Sequence, residues 1–96
     1  MQEKIHGNRF DAITEQAARK FGKAVKEARK QLELTQGELG KIVGGQSTNI
    51  RQIECQGCSP KSRYFRPLCE ELGLDPLSFG FIGQHLDIIE EWIDGQ

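Results

Sequence analysis

The sequence predicts an all-α domain, and three observations lead to that prediction. Apolar residues recur at helical spacing over residues 13–32. Thr35 and Glu38 have the spacing of a helix capping box, and Asp75 followed by Pro76 is a typical helix start. A length of 96 residues is enough for one domain with a modest core and too short for two independent domains.

The first helical segment is predicted to run from about Asp11 to Leu32, as one long helix or as two contiguous ones. Its apolar residues are spaced three or four apart, so they share one face. They are Ile13, Ala17, Phe21, Val25, Ala28 and Leu32, with Ala24 beside them. Residues 1–9 precede this helix. They are mostly polar and contain Gly7-Asn8, and we expect them to be flexible.

The second helix is predicted to begin after Thr35. The Thr35 hydroxyl can accept from the amide of Glu38 while the Glu38 carboxylate accepts from the amide of Thr35. Leu34, just before the cap, is placed for a hydrophobic staple with this helix. The residues predicted on the apolar face are Leu39, Ile42 and Val43. Gly44 and Gly45 are expected to end the helix, because glycine adopts the left-handed conformation without steric cost.

A third helix is predicted after this turn, with Ile50 and Ile53 facing inward. Its outer face carries amide, hydroxyl and guanidinium side chains, which can hydrogen-bond to base edges in the major groove of DNA. The residues expected to make base contacts are Gln46, Ser47, Thr48, Arg51 and Gln52. The two helices and their glycine turn therefore predict a helix-turn-helix motif.

Three further helices are predicted beyond this motif. Pro67 disfavours a helical conformation at the residue before it, so we expect the fourth helix to begin late, with Pro67 in its first turn, rather than to be kinked there. Asp75 and Pro76 are expected to open a short fifth helix. The last helix is predicted over residues 84–94 and is closed by Gly95.

The charge of the chain is divided along its length. Residues 19–66 contain eleven Lys and Arg against four Glu, a net charge of +7, whereas residues 67–96 contain seven acids and no Lys or Arg, a net charge of −7. A basic domain can neutralise DNA phosphates, and an acidic segment is repelled by them. The expected phosphate contacts that follow the third helix are Lys61, Ser62, Arg63 and Arg66.

Two other classes of protein are not supported by the sequence. No run approaches the roughly 20 apolar residues of a membrane span, and the N-terminus lacks the pattern of a signal peptide. We therefore expect a cytoplasmic protein without membrane contact. The sequence shows no nucleophile paired with a base and no phosphate-binding glycine loop, so we expect neither an enzyme nor a cofactor.

These features resemble the Cro/repressor-type (XRE-like) helix-turn-helix family over about residues 21–75. The residues that carry the resemblance are Phe21-Gly22, Arg29, Leu34-Thr35-Gln36, Gly44, Ile50, Ile53-Glu54, Pro60, Leu68 and Leu72-Gly73-Leu74-Asp75. The resemblance implies a five-helix lambda-repressor-like DNA-binding domain over residues 10–83. Residues 10–20 would be a helical N-terminal extension of this domain, and residues 84–96 an extra C-terminal helix.

The resemblance also implies roles for single residues. Arg29 and Glu54 would form an ion pair between the first and third helices, with a phosphate contact as the alternative role for Arg29. Gln36 would donate to a DNA phosphate and brace the third helix. Gly40 would let the two helices of the motif cross closely. Two departures from the family are present. Gly57 lies one place later than the glycine that follows this glutamate in the family, and Gly45 and Gln46 lie where the family usually has an apolar residue and a Ser or Thr cap.

Three cysteines raise the question of a metal or redox site. Cys55 and Cys58 have C-x-x-C spacing, and His85 and His6 could complete a tetrahedral zinc site. The sequence lacks the second tight ligand pair that structural zinc sites usually have. We therefore favour ordinary reduced thiols over a zinc site or a redox pair. Cys69 lies where the family has a small core residue, and we expect it to be buried.

The last helix carries more apolar residues than one buried face needs. One interpretation packs all of them on their own domain. We favour a homodimer joined by this helix, because operator-binding proteins of this type act as two-fold pairs. The apolar stripe consists of Leu86, Ile89 and Ile93, with Ile88 and Trp92 on an adjacent one. The residues expected at the dimer interface are Leu86, Ile89, Trp92 and Ile93.

The sequence therefore predicts a transcription regulator, in the first place a repressor, that binds a two-fold operator in double-stranded DNA as a homodimer. The alternative is an antitoxin-like protein-interaction module with autoregulatory DNA binding, whose acidic and apolar C-terminal segment masks a regulatory protein partner. A metal or redox sensor that uses Cys55 and Cys58 is a third and weaker interpretation.

Overall fold

Five α-helices and one short 3-10 helix make up the computed structural model, which describes residues 9–95. The helices are α1 (Arg9–Gln31), α2 (Gln36–Ile42), α3 (Ser47–Gln56), α4 (Phe65–Leu72) and α5 (Gly83–Asp94), with the 3-10 helix at Pro76–Ser78. Residues 9–95 contain no strand, so the predicted all-α class is confirmed for this range. None of these helices has the length and apolar composition needed to cross a membrane. The expected flexibility of residues 1–9 falls outside the described range, except for Arg9, which begins α1.

α1 is one continuous helix of 23 residues, and it buries the middle of the predicted stripe, whereas Ile13 and Ala28 are half-buried. Ala17, Phe21 and Val25 are buried at four-residue spacing, so a single face of α1 meets the core. Leu32 departs from the prediction because it lies just beyond the helix and is exposed. The chain turns away from the helix axis at this point, through Glu33 with a φ of +58°.

The centre of the core is a cluster of four phenylalanines. Phe21 stacks on Phe65 with ring centroids 4.4 Å apart, and it meets Phe79 edge-on at 5.2 Å. Phe65 in turn meets Phe81 edge-on at 5.5 Å. Edge-on contacts between aromatic rings are favourable beyond the area that they bury. The cluster therefore joins α1, α4 and the segment before α5 into one core.

Glycine residues let α1 and α3 approach each other closely. A Cβ atom on Gly22 would overlap the backbone oxygen of Ile53, and a Cβ atom on Gly57 would overlap that of Ala18. Gly57 also ends α3 with a φ of +82° and a ψ of 178°, a conformation that is almost restricted to glycine. The glycine that is displaced relative to the family pattern therefore ends α3 and lets it pack against α1.

The chain after α3 follows the predicted order of elements. Pro67 is the third residue of α4, so the late start of this helix is confirmed. The Asp75 carboxylate accepts from the amide of Leu77 at 3.0 Å and caps the next element, with Pro76 as its first residue. That element is a 3-10 helix of three residues. α5 begins at Gly83, one residue earlier than predicted.

α5 packs on the same core as the other helices. Ile89 is fully buried, and Trp92 packs against the core residues. The Arg66 guanidinium lies 5.1 Å from the centroid of the Trp92 ring, and Arg66 Nε lies 3.3 Å from Glu70 Oε2. The contact of Arg66 with Trp92 ties α5 to α4, whereas the pair with Glu70 lies within α4. Both contacts also engage Arg66 within the domain, although it was expected to contact DNA phosphate.

Candidate nucleic-acid interface

α2 begins at a capping box and ends at a glycine turn that holds it close to α3. The Thr35 hydroxyl accepts from the Glu38 amide at 3.0 Å, and the Glu38 carboxylate accepts from the Thr35 amide at 2.8 Å, which confirms the capping box. Gly44 has a φ of +82°, as this turn requires. A Cβ atom on Gly40 would lie 2.7 Å from the carbonyl carbon of Gln46, so α2 and α3 can cross this closely only with glycine at position 40.

α2 buries fewer apolar residues than predicted. Leu39 is fully buried, but Ile42 is 48% exposed, so its place on the predicted apolar face is wrong. Gly40 meets α3, and the buried arc of α2 is therefore centred between Leu39 and Gly40. Successive residues of an α-helix are rotated by about 100° about its axis, so the Ile42 side chain points about 110° away from that centre. This rotation carries its side chain into solvent.

Gln46 lies just outside α3, as its N-cap residue. Its backbone amide donates to Asn49 Oδ1 at 2.8 Å, while its side chain is exposed. Its predicted position on the helix face is therefore corrected to the cap, and Ser47 is the first helical residue. The cap residue Asn49 was missed in the sequence, because the usual partner three residues after an N-cap is Glu or Gln.

The outer face of α3 is polar and carries no carboxylate. Its exposed residues are Ser47, Thr48, Arg51, Gln52, Cys55 and Gln56. Ile50 and Ile53 are buried on the opposite side, as predicted. The one acidic residue of α3, Glu54, is directed away from the outer face and toward α1 and α2. The side chains of α3 that are predicted to contact bases are therefore accessible to a binding partner.

Glu54 is the centre of a hydrogen-bond network that connects α1, α2 and α3. Arg29 donates from Nε to Glu54 Oε2 at 2.6 Å and from Nη2 to Oε1 at 3.2 Å. Arg29 Nη1 donates to the carbonyl of Leu34 at 2.8 Å, and Gln36 Nε2 donates to Glu54 Oε1 at 3.0 Å. The Arg29 and Glu54 side chains are only 12% and 3% exposed. The expected ion pair is present, and Gln36 braces α3 as expected. A phosphate contact by Gln36 stays a prediction.

The loop between α3 and α4 carries the other predicted phosphate contacts. Lys61 and Arg63 are exposed and free to meet an anion. Ser62 is half-buried, and its hydroxyl accepts from the amide of Tyr64 at 3.2 Å. Ser62 therefore shapes the loop, which makes it the weakest of the three predicted contacts.

Tyr64 connects this loop to the start of α3. Arg63 Nη2 donates to the Tyr64 hydroxyl at 2.7 Å, and the Arg63 guanidinium carbon lies 4.9 Å from the ring centroid. The ring lies against the turn, since a Cβ atom on Gly45 would be 2.8 Å from Tyr64 Cε1. No sequence pattern singles out Tyr64, because its contact with the turn joins residues 19 positions apart.

The three cysteines are free thiols. Burial raises the pKa of the Cys58 thiol to about 12, against a smaller opposing effect of its hydrogen bond with Ser62. Burial also raises the pKa of Cys69 to about 12, with neighbouring acidic groups adding to the effect. Cys69 is buried, as expected. In the part of the chain that the structure describes, no three His, Cys, Asp or Glu side chains come together to hold a metal. His6 lies outside that part.

The expected dimer surface needs correction at Ile89. This side chain is fully buried within its own chain, so it has no surface to offer a second copy. Leu86 and Trp92 are half-buried, whereas Ile93 is 39% exposed. Ile93 lines a shallow depression together with Leu77, which is 51% exposed. The exposed apolar surface at this end is therefore centred on Leu77 and Ile93.

A groove of about 200 Å³ adjoins this surface, between α4 and α5. It is lined by Cys69, Glu70, Leu74, Pro76, Trp92 and Ile93. Pockets for drug-sized molecules measure about 300–1,000 Å³, so the groove is small for such a ligand. Glu90 and Asp94 line the neighbouring depression. This end of the domain is therefore apolar at its centre and acidic at its rim.

Comparison of the chain with protein-family models, with curated proteins and with solved structures finds no match. The function is therefore inferred from three features of the molecule itself. These are the outer face of α3, the network around Glu54 and the distribution of charge.

Proposed function

We propose that this protein is a sequence-specific DNA-binding regulator of the lambda-repressor-like type, acting in the cytoplasm. The observation that carries the proposal is the outer face of α3, which exposes hydroxyl, amide and guanidinium groups and no carboxylate. Such groups read the base edges of the major groove. With its side chains, an α-helix such as α3 is about 10–12 Å across and fits the major groove, which is about 12 Å wide.

The position of Glu54 supports this proposal. A free carboxylate on α3 would be repelled by DNA phosphates, but Glu54 is neutralised by Arg29 and held below the surface. The same network fixes α3 against α1 and α2. A rigid helix loses little conformational freedom on binding, and this preorganisation favours affinity.

The charge around α3 supports the proposal as well. Lys41, Arg51, Lys61 and Arg63 are all exposed. They belong to residues 19–66, where the net charge is +7. Cations near the groove-binding helix provide the sequence-independent part of DNA affinity. α5, with only acidic charges, would lie away from the phosphates.

We further propose that two copies bind a two-fold operator and act as a repressor, the mode implied by the family resemblance. One short helix contacts few base pairs, so two linked copies with recognition helices about 34 Å apart would read two half-sites. The surface proposed to join them is centred on Leu77 and Ile93, with Leu86 and Trp92 at its edges. Sedimentation at increasing protein concentration, with and without operator, measures this association.

The direct test is binding to random-sequence duplex DNA at about 50 to 200 mM salt, where log affinity should fall linearly with log salt. Lys61→Ala should reduce the magnitude of the slope of log affinity against log salt concentration by about one. Lys23→Ala is the matched control, since Lys23 is exposed on the side of α1 opposite its buried stripe. Selection of bound fragments from a random pool would then give the operator. An affinity for DNA that is absent or independent of salt would contradict the proposal.

The second candidate is a protein-interaction module, and the groove beside α5 is the observation that favours it. Its apolar lining and acidic rim would suit an apolar side chain flanked by basic residues. The two candidates differ in what a substitution of Gln52 would do. It would impair a DNA-binding regulator but leave partner capture unchanged, whereas substitution of Leu77, which also belongs to the proposed dimer surface, would not distinguish them.

A further inference from the structure

The Arg63–Tyr64 pair holds a cation in a defined place next to the start of α3. The hydrogen bond from Arg63 Nη2 to the Tyr64 hydroxyl is 2.7 Å long, and the guanidinium also lies over the ring. Tyr64 is itself held, because its ring and hydroxyl lie against the Gly45 backbone and are half-buried. A Cβ atom added to Gly45 would come within 3.0 Å of both Asn49 Oδ1 and the Tyr64 hydroxyl, so the phenol lies beside the cap of α3.

This arrangement leaves the charge of Arg63 available. Within residues 12–95, where side chains are described, Arg63 has no carboxylate within ion-pair distance. Its position differs in this respect from those of Arg19, Arg29 and Arg66, each of which is paired with a glutamate. A guanidinium that is fixed in place but not neutralised is suited to bind an anion.

We propose that Tyr64 is a positioning residue for DNA binding, which holds the Arg63 guanidinium beside the α2–α3 turn to receive a backbone phosphate. This inference rests on the proposed function and adds a residue to its site. An unrestrained arginine side chain loses rotamer freedom when it binds, and Tyr64 removes much of that loss in advance.

A phosphate contact at this place would set the orientation of α3 on the duplex. Contacts to phosphate fix position and register, and they carry no sequence information directly. Loss of the Tyr64 hydroxyl should therefore weaken binding to operator and to random DNA by the same factor. Loss of a base contact from α3 should instead affect the operator alone.

The test is a double-mutant cycle on duplex affinity with the full chain. Tyr64→Phe keeps the ring against Gly45 and removes only the hydroxyl that Arg63 binds. It should weaken binding to random duplex roughly three- to tenfold, the usual effect of one hydrogen bond. Arg63→Ala should weaken binding at least as much, and the double variant should bind no more weakly than Arg63→Ala alone. Tyr64→Phe combined with Arg51→Ala is the control, and there the two effects should add.

Two further measurements distinguish a loss of the Tyr64–Arg63 contact from a general loss of folding. The melting temperature of Tyr64→Phe should stay close to that of the unaltered protein, and Gly45→Ala, which pushes the ring aside, should reproduce the loss of affinity. If the effects of Tyr64→Phe and Arg63→Ala are additive while the unaltered protein binds DNA, the proposed role of Tyr64 is overturned and the proposed function is not. An unaltered protein without salt-dependent DNA affinity would overturn the proposed function and this role together.

Discussion

Gln36 and Glu54 lie 18 residues apart in the sequence and are joined by a hydrogen bond of 3.0 Å from Gln36 Nε2 to Glu54 Oε1. The same carboxylate accepts two hydrogen bonds from Arg29. One side chain of α3 therefore connects the start of α2 and the end of α1. Since Glu54 is almost fully buried, a change to its carboxylate must affect all three helices.

Replacement of Glu54 by Ala should destabilise the fold strongly. The substitution leaves the Arg29 guanidinium in a mostly buried position without its counter-charge, a loss of about 3–5 kcal/mol for a buried pair. Urea denaturation followed by circular dichroism measures the free energy of unfolding. The matched control is Glu70→Ala, which breaks the exposed pair with Arg66 and should cost at most about 1 kcal/mol. Equal losses in the two variants would contradict the structural role of Glu54.

Gly57→Ala should destabilise the protein more than Gly73→Ala. Both glycines have a positive φ, of +82° and +67°. Gly73, with a ψ of 34°, lies in the left-handed region, where an alanine costs about 1–2 kcal/mol. Gly57, with a ψ of 178°, lies in a region that is almost restricted to glycine. A Cβ atom at position 73 meets nothing within 4 Å, whereas one at position 57 overlaps the carbonyl of Ala18. Overpacking adds about 1–3 kcal/mol. Thermal denaturation of the two variants gives the comparison, and the prediction fails if Gly73→Ala melts at the lower temperature.

Gln52→Ala should weaken binding to the selected operator by about 1–3 kcal/mol and leave binding to random duplex nearly unchanged. The reason is that Gln52 is exposed on the outer face of α3 and would contact bases rather than phosphates. Gln16→Ala, an exposed amide on α1, is the control and should change neither affinity. Fluorescence anisotropy with labelled duplexes measures both. The same loss on operator and random DNA would show that Gln52 does not read a base.

Ile89→Ala should destabilise the chain by about 2–5 kcal/mol, because the side chain is fully buried in its own core. Ile93→Ala removes a partly exposed side chain and should cost about 1 kcal/mol or less. Ile93→Asp should in addition favour monomers in sedimentation, while Gln84→Glu adds the same charge at another exposed position on α5 and should not. A monomer–dimer equilibrium unaffected by Ile93→Asp would place the interface elsewhere.

Thiol labelling of the folded protein should separate Cys55 from the other two cysteines. Cys55 is exposed, whereas burial raises the pKa of Cys58 and Cys69 to about 12 and leaves little reactive thiolate near pH 8. Cys55 should therefore react at least about tenfold faster, as mass spectrometry of timed samples would show. All three thiols should react alike in urea. Fast modification of Cys58 or Cys69 in the folded protein would contradict their burial.

The raised pKa values of Cys58 and Cys69 also predict how stability depends on pH. In the unfolded chain these thiols lose their protons near pH 9.0, whereas in the folded chain they keep them to about pH 12. The folded state binds more protons in that interval, so the contribution of the two thiols is present below pH 9.0 and is lost as the pH rises toward 12. The double variant with Ala at both positions should lose less stability over this interval, as urea denaturation at a series of pH values would measure. An equal loss in the variant and the unaltered protein would contradict this role of the two thiols.

Local features were predictable because they depend on residues a few positions apart. The capping box of Thr35 and Glu38, the Asp75 cap and the position of Pro67 in α4 all have the predicted form. The pair of Arg29 and Glu54, 25 residues apart, was expected only because the sequence resembles a family in which it occurs. Within a helix, spacing alone also placed Ile50 and Ile53 on the buried side of α3.

The tertiary structure decided which of the apolar faces meet the core and which distant residues come into contact. The spacing of apolar residues on α2 and α5 predicts a stripe, but it does not predict how each helix is rotated about its axis relative to the core. The exposure of Ile42 and the burial of Ile89 therefore depend on where the neighbouring helices lie. The contacts of Gly57 with Ala18 and of Tyr64 with Gly45 follow from helix crossings and a returning loop. The sequence by itself determines the helices and their ends through short-range hydrogen bonds and backbone sterics, whereas the arrangement of these helices follows from long-range packing of the whole core.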